Sequence, residues 1–171
     1  MKRIEYNELT DNVFETIGKE WMLVSAGTPQ HFNMMTASWG GLGWLWNKPV
    51  AFIFIRPERH TYKFVEEGDN ITLSFLGNSK EARNIYQLCG TKSGRDINKA
   101  EVAGLKVIEM ENGGVGYEQN RMTLTCRKLF IADMTEESFV DKSLLELWYN
   151  EKKGNLHRVY VVEITGIWIN E

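Results

Sequence analysis

Residues 50–61 read VAFIFIRPERHT, an unbroken apolar run from Val50 to Ile55 that ends in Arg56 and turns at Pro57 into a charged segment. β-Branched and aromatic side chains with no polar face predict a central strand over 50–56, buried on both sides. Proline suits a first helical position, where its missing N–H would have no partner, and Gly68 suits an exit, so a helix is predicted over 58–67. Upstream, FNMMTASW at 32–39 predicts a second strand, separated from the first by a loop whose glycines at 40, 41 and 43 permit a tight or bulged course. Downstream, ITLSFL at 71–76 predicts a third strand. SKEARNIYQLCG then predicts a helix from Ser79, its cap, to Cys89, with Gly90 as the stop.

The flanks extend this pattern. A short amphipathic helix is predicted over Thr10 to Ile17, closed by Gly18, and a strand near Trp21 to Ala26. After a polar stretch, TKSGRDIN, come a helical turn at 98–103 and strands near 105–110, 114–119 and 121–133. A helix over about 136–150 precedes a final strand at 156–169, which Gly166 bends. Seven or eight strands broken by short helices imply one mainly β domain over 1–171, a Greek-key-like antiparallel barrel with helical insertions. A parallel sheet would need strands alternating with helices.

Composition narrows the function. A chain of 171 residues, 43% hydrophobic, is long enough for a core without metal or disulfide staples. Twenty Lys and Arg against 23 Asp and Glu give a net charge of −3, without the basic excess of a nucleic-acid binder. The longest apolar run falls far short of the roughly 18 residues of a membrane span. MKRIEYNELTDN at the amino terminus has no apolar stretch of signal-peptide length, so the cytoplasm is the expected location. Cys89 and Cys126 form neither a CxxC motif nor a disulfide framework, and His31, His60 and His157 have no short metal-ligand spacing, so no metal site is expected. Gly41 and Gly43 start a GxG, but Trp46 stands where a third glycine would be needed. Gly114 and Gly116 likewise end on Gln119. GxxxxGK[ST] and GxSxG are absent, which removes the Rossmann, P-loop and serine-hydrolase readings.

Three segments carry possible chemistry, each with a plain alternative. On a strand Thr36 and Ser38 share one side, with Ala37 between them, and their hydroxyls face either one ligand or water. Arg56, Arg59 and Thr61 bring two guanidinium groups and a hydroxyl to a helix start, which suits a phosphate; the alternative is a solvated turn in which Arg56 pairs with Glu58. Ser74 and Lys80 extend the same polar rim. The loop Cys89, Gly90, Thr91, Lys92, Ser93, Gly94, Arg95 either closes over a ligand or is a surface turn, with Cys89 read as a small buried hydrophobe. His157 begins the last strand as either a ligand-rim residue or a structural one. Six tryptophans, three of them at 39, 44 and 46, supply flat rings for a core, a partner or a planar ligand.

In order and spacing, N-x-M-T-x-S at 33–38, Lys48-Pro49 before an apolar strand, R-P-x-R-x-T at 56–61, ITLSFL, and H-R-V-Y-V-V-E at 157–163 resemble the flavin reductase-like, FMN-binding split-barrel proteins, including their flavoredoxin-type branch. The resemblance covers roughly residues 18–168. It implies a split barrel that forms a homodimer and binds one FMN per subunit near the interface. It implies that Met35, Thr36, Ala37, Ser38 and Trp39 line the isoalloxazine and ribityl chain, and that Arg56, Arg59 and Thr61 hold the phosphate. Ser74 and Phe75 would follow the strand beneath the flavin, with Lys80 and the loop containing Cys89, Gly90, Lys92 and Ser93 over its far end. His157 would stand where a nicotinamide approaches, as the catalytic candidate. The implied activity is that of an oxidoreductase taking hydride from NADH or NADPH and passing electrons to free flavin or a partner protein. The alternatives are an electron carrier that oxidises nicotinamide poorly and a non-redox binding module on the same barrel. Val162 stands where the family carries glycine, and the tryptophan-rich segment 39–46 is bulkier than the family's loop.

Overall fold

A computed structural model describes residues 1–170. In chain order its strands are β1 (Lys2–Ile4), β2 (Met22–Thr28), β3 (His31–Ala37), β4 (Gly40–Leu45), β5 (Lys48–Ile55), β6 (Ile71–Phe75), β7 (Val107–Glu109), β8 (Val115–Tyr117), β9 (Met122–Asp133) and β10 (Arg158–Ile169). The α-helices are α1 (Val13–Glu15), α2 (His60–Glu67), α3 (Lys80–Thr91), α4 (Lys99–Val102) and α5 (Ser143–Trp148). The main sheet runs β3-β2-β6-β9-β10-β5-β4, with β1 against the end of β10, while β7 and β8 pair separately. Every ladder is antiparallel. The two strands that end the path, β3 and β4, follow each other in the chain with only Ser38 and Trp39 between them. The sheet therefore curls until its rims meet at that link and part beyond it, which makes a split barrel.

Alternation along the strands sorts side chains into two cores. Met22, Val24 and Ala26 of β2 point into the barrel with Ile53, Ile71, Leu73, Phe75, Leu124 and Tyr160. Leu23 points outward into a second cluster with Met34, Tyr86, Cys89 and Tyr117, beneath α3. Side chains of this size contribute roughly 1.5–3 kcal/mol each when fully buried, so these two clusters hold the barrel and its helical cover together. The β10 ladder to β9 shifts register between Ile164 and Gly166, the bend expected at that glycine.

Three expected elements change. Residues 40–45 are strand β4, not a loop. Gly41 and Gly43 leave room for the Phe52 ring, which would lie 3.8 and 3.3 Å from a Cβ at those positions, so the glycines are covered by an aromatic neighbour on β5. A two-residue turn joins β4 to β5. Trp46 and Asn47 both have positive φ, 50° and 62°, the geometry that matches strand twist, but tryptophan is an unusual residue to find there. The helix expected over 10–17 is only one turn, α1, capped by Asn12, and it widens into a π-helix over Thr16–Glu20 that passes through Gly18. That widened turn carries Glu20 inward, where its carboxylate accepts from Arg121 Nε at 2.9 Å and from the Gly77 N–H at 2.7 Å. The helix expected over 136–150 shrinks to a 3₁₀ turn and α5, neither of which buries a residue. Its apolar side chains belong to a strap over the barrel mouth instead of to a core.

Among the described residues no helix is long and apolar enough to cross a membrane.

Candidate functional site

The barrel mouth beside the Ser38–Trp39 link holds a cavity of about 210 Å³ lined by Met35, Thr36, Ala37, Ser38, Trp39, Phe54, Arg56, Arg59 and His157. Four elements converge there: the end of β3, the end of β5, the turn into α2 and the start of β10. Phe54 is the lining residue that sequence reasoning missed, although it lies two positions before Arg56 on the same strand and so shares its face. A larger groove of about 540 Å³, lined by Trp21, Arg83, Tyr86, Gln87, Gly90 and Thr91, also includes Thr36 and Ser38, so the two spaces adjoin at those residues. Ligand pockets usually measure about 300–1,000 Å³; the cavity alone is smaller than this range and the adjoining groove lies within it.

The rim of β3 supplies backbone groups. Lys99 Nζ donates to the Met34 carbonyl at 2.8 Å, which places Met34 on the edge turned away from β2. Strand parity then puts the Thr36 N–H and C=O on the same free edge. Gly90 permits α3 to lie close, since a Cβ there would sit 3.3 Å from Thr36 Cβ, and Thr36 Oγ1 donates to the Tyr86 carbonyl at 2.6 Å.

The two arginines differ. Arg56 Nη1 donates to the Asn155 carbonyl at 2.8 Å and Nη2 to the Trp148 carbonyl at 3.1 Å, and its guanidinium lies 5.1 Å from the Tyr149 ring centroid. Glu58 holds the same strap, accepting from the Asn155 N–H at 3.1 Å and Nδ2 at 3.2 Å. Arg56 is thus mainly a clamp on the strap. The Arg59 guanidinium makes no hydrogen bond or ion pair among the described residues. Burial lowers its pKa, Glu58 opposes this, and the nearby Arg56 lowers it further. A half-buried cation without a partner is costly unless an anion meets it. Arg59 is also the N-cap of α2 and provides no side-chain cap, so the His60 and Thr61 N–H groups at the positive end of the helix have no acceptor among the described residues.

Aromatic rings close the mouth. Trp39 packs edge-on against Trp148 at 5.1 Å and against the His157 ring at 5.4 Å, and Phe54 meets His157 at 6.4 Å. Burial, reinforced by Arg56 and opposed by Glu58, pushes the His157 pKa down to about 4. The ring is therefore neutral at physiological pH.

The structure does not bring the other expected residues to this cavity. Thr61 is buried and its Oγ1 accepts from Asn33 Nδ2 at 2.8 Å, tying α2 to β3. Phe75 points into the barrel core and Ser74 to the opposite face, both fully buried, because alternation places them in the two cores. Lys80 is exposed at the start of α3, and Lys92 and Ser93 lie beyond its end; none lines the cavity or the adjoining groove. Cys89 is fully enclosed on the buried face of α3, and burial pushes its thiol up to about 11, so it is a packing residue. The residue that takes its place in importance is Lys99, buried among polar neighbours in the sequence. Besides Met34 its Nζ donates to the Cys89 carbonyl at 2.8 Å near the carboxyl end of α3, and burial lowers its pKa to about 8. Among the described residues no cluster of His, Cys, Asp and Glu is arranged for a metal.

A search of curated proteins finds no match. Among solved structures the chain resembles the flavoredoxin of Methanosarcina acetivorans, at 15% identity and a TM-score of 0.68, covering 100% of this chain and 76% of that one. It also resembles an FMN-binding protein of Thermus thermophilus with bound p-hydroxybenzaldehyde, at 16% and 0.67 over 100% and 83% of the two chains. A third likeness is to the NADH:FAD oxidoreductase of Streptomyces globisporus C-1027, at 10% and 0.64 over 88% and 75%. At such identities these likenesses establish the fold. The sequence profile of the flavin reductase like domain matches residues 14–171, nearly the whole chain. With its split barrel and its mouth between β3, β5 and α2, the chain belongs to the flavin reductase-like, FMN-binding family.

Proposed function

We propose that the mouth cavity and its groove bind FMN, and that the chain acts as an NAD(P)H-dependent oxidoreductase delivering electrons to free flavin or to a partner protein. The observation that carries this reading is the unpartnered Arg59 guanidinium beside the uncapped start of α2, a cationic site that a phosphate monoester would satisfy. The remaining residues fit the rest of such a ligand. The free edge at Thr36 offers an N–H and a C=O to a heterocycle with alternating donors and acceptors, Ala37 keeps one side open, and Phe54, Trp39 and His157 provide flat walls. Bound FMN would supply the hydride and electron chemistry, while the chain holds it, excludes water and keeps an electrically neutral histidine at its edge. The reading includes a homodimer acting in the cytoplasm.

The test is titration of FMN, followed by its visible absorption, with wild type, Arg59→Ala and the Arg56→Ala, Arg59→Ala double variant. A charge-assisted hydrogen bond contributes about 1.5–3 kcal/mol, so loss of Arg59 is expected to raise Kd roughly 10- to 150-fold, and the double variant more. Unchanged FMN retention in the double variant rejects the assignment. Anaerobic bleaching by NADH or NADPH then tests the activity. A second reading, an electron carrier reduced by another protein, is favoured by the Trp39–Trp148 contact, which narrows access to the cavity. Negligible steady-state NAD(P)H consumption by the yellow protein would select it.

A further inference from the structure

His157 is a wall between two spaces. It lines the mouth cavity with Trp39 and Phe54, and it lines a second space of about 590 Å³ on the strap side with Met134, Tyr149 and Asn155. Its Nδ1 lies 2.9 Å from the Tyr149 hydroxyl, and Tyr149 belongs to the strap-side space alone of the two. Nε2, on the other side of the ring, makes no hydrogen bond among the described residues.

Two proton arrangements satisfy this pair. In one, the Tyr149 hydroxyl donates to an unprotonated Nδ1 and Nε2 carries the ring proton. In the other, Nδ1–H donates to the phenol oxygen and the hydroxyl turns to Met134 Sδ, 3.7 Å away. A ring nitrogen is a much stronger acceptor than a thioether, so the second arrangement spends the phenol proton on a weak bond. The first is favoured further by Arg56, whose positive charge over the phenol ring makes its hydroxyl a better donor. Tyr149 is fixed from both sides: its N–H donates to the Leu145 carbonyl at 2.8 Å, and Arg56 holds the adjacent Trp148 carbonyl. Burial keeps both partners neutral, lowering the histidine pKa and raising that of the tyrosine.

We propose that Tyr149 is a positioning residue that fixes His157 as its Nε2–H tautomer and presents that N–H to the mouth cavity as a neutral hydrogen-bond donor. Such a donor selects a planar ligand with a lone-pair acceptor, a carbonyl oxygen or ring nitrogen, at the His157 edge. It adds no net charge there, and the anionic part of the ligand is left to Arg59. The ligand class rests on the FMN reading, but the tautomer is a property of the free chain.

The experiment is a long-range proton–nitrogen correlation spectrum of the flavin-free chain, with ¹⁵N-labelled histidine, at neutral pH. The expected result is protonated Nε2 and unprotonated Nδ1 at His157. Tyr149→Phe should move the Nδ1 resonance toward that of an unbonded ring nitrogen and populate both tautomers, whereas Met134→Leu should leave the tautomer unchanged. Protonated Nδ1 in wild type, ring resonances indifferent to Tyr149→Phe, or a tautomer change in Met134→Leu would each overturn the proposal. FMN is then added. A shift of the Nε2–H resonance supports its presentation to the ligand, and FMN binding without that shift overturns it. If FMN does not bind, the cofactor reading fails, while the positioning role still stands or falls on the free-chain spectrum.

Discussion

Arg121 and Arg59 are both partly enclosed arginines near a helical segment, and they have opposite fates. Arg121 donates to Glu20 from Nε at 2.9 Å and from Nη2 at 2.5 Å, and to Asp11 from Nη2 at 2.6 Å. Burial works against its charge, but these carboxylates outweigh it and raise the pKa. Arg59 has no such partners, and its pKa falls. The contrast separates an arginine completed by the fold from one that no carboxylate among the described residues completes.

The largest expected effect comes from breaking the completed arginine. Glu20 is 4% exposed, so Arg121→Ala leaves a buried carboxylate with the Gly77 N–H but without its cation and should cost about 3 kcal/mol in chemical denaturation. A loss below about 1 kcal/mol would erase the contrast. Next is His157. Its folded pKa, about 4, lies below the ordinary 6.5, so as pH falls below about 6.5 the unfolded chain takes up the proton first. Stability therefore drops as pH falls from about 6.5 to 4, by at most roughly 3 kcal/mol. Comparing wild type with His157→Gln over that range subtracts the carboxylates, and parallel curves would show that the ring titrates normally.

Arg59→Ala should raise the Kd for FMN while leaving unfolding within about 0.5 kcal/mol of wild type, since no protein group loses a bond. A large destabilisation would reveal a structural partner. The smallest effect sets the baseline: Lys106 and Glu118 form an ion pair at 3.2 Å with side chains 73% and 56% exposed. Lys106→Ala should therefore change stability by less than about 1 kcal/mol in the same assay.

What the sequence disclosed follows the range over which each interaction acts. The segment from Phe52 to Thr61 was legible because an apolar run, a proline and a helix start are neighbours along the chain, and strand parity then placed Thr36 and Ser38 together. The same parity could not say what β6 packs against, so Ser74 and Phe75 were assigned to a site whose cavity they do not line. Arg56 was given either to a phosphate or to Glu58 because its acceptors, the carbonyls of Trp148 and Asn155, come from a distant strap. Lys99 carried no sequence signal, because its burial depends on the Met34 and Cys89 carbonyls meeting behind it. Glycines 40, 41 and 43 resembled a loop, since only pairing with Ile53, Phe52 and Val50 of β5 makes them a strand.

The link of Ser38 and Trp39 has one more consequence. Elsewhere neighbouring strands are zipped by hydrogen bonds, but the two rims of the sheet are fastened by a covalent clasp of two residues. A protease cutting between them would free both rims together, and a molecule spanning the gap would act as a second fastener, so bound ligand would be read directly as resistance of that one peptide bond to digestion.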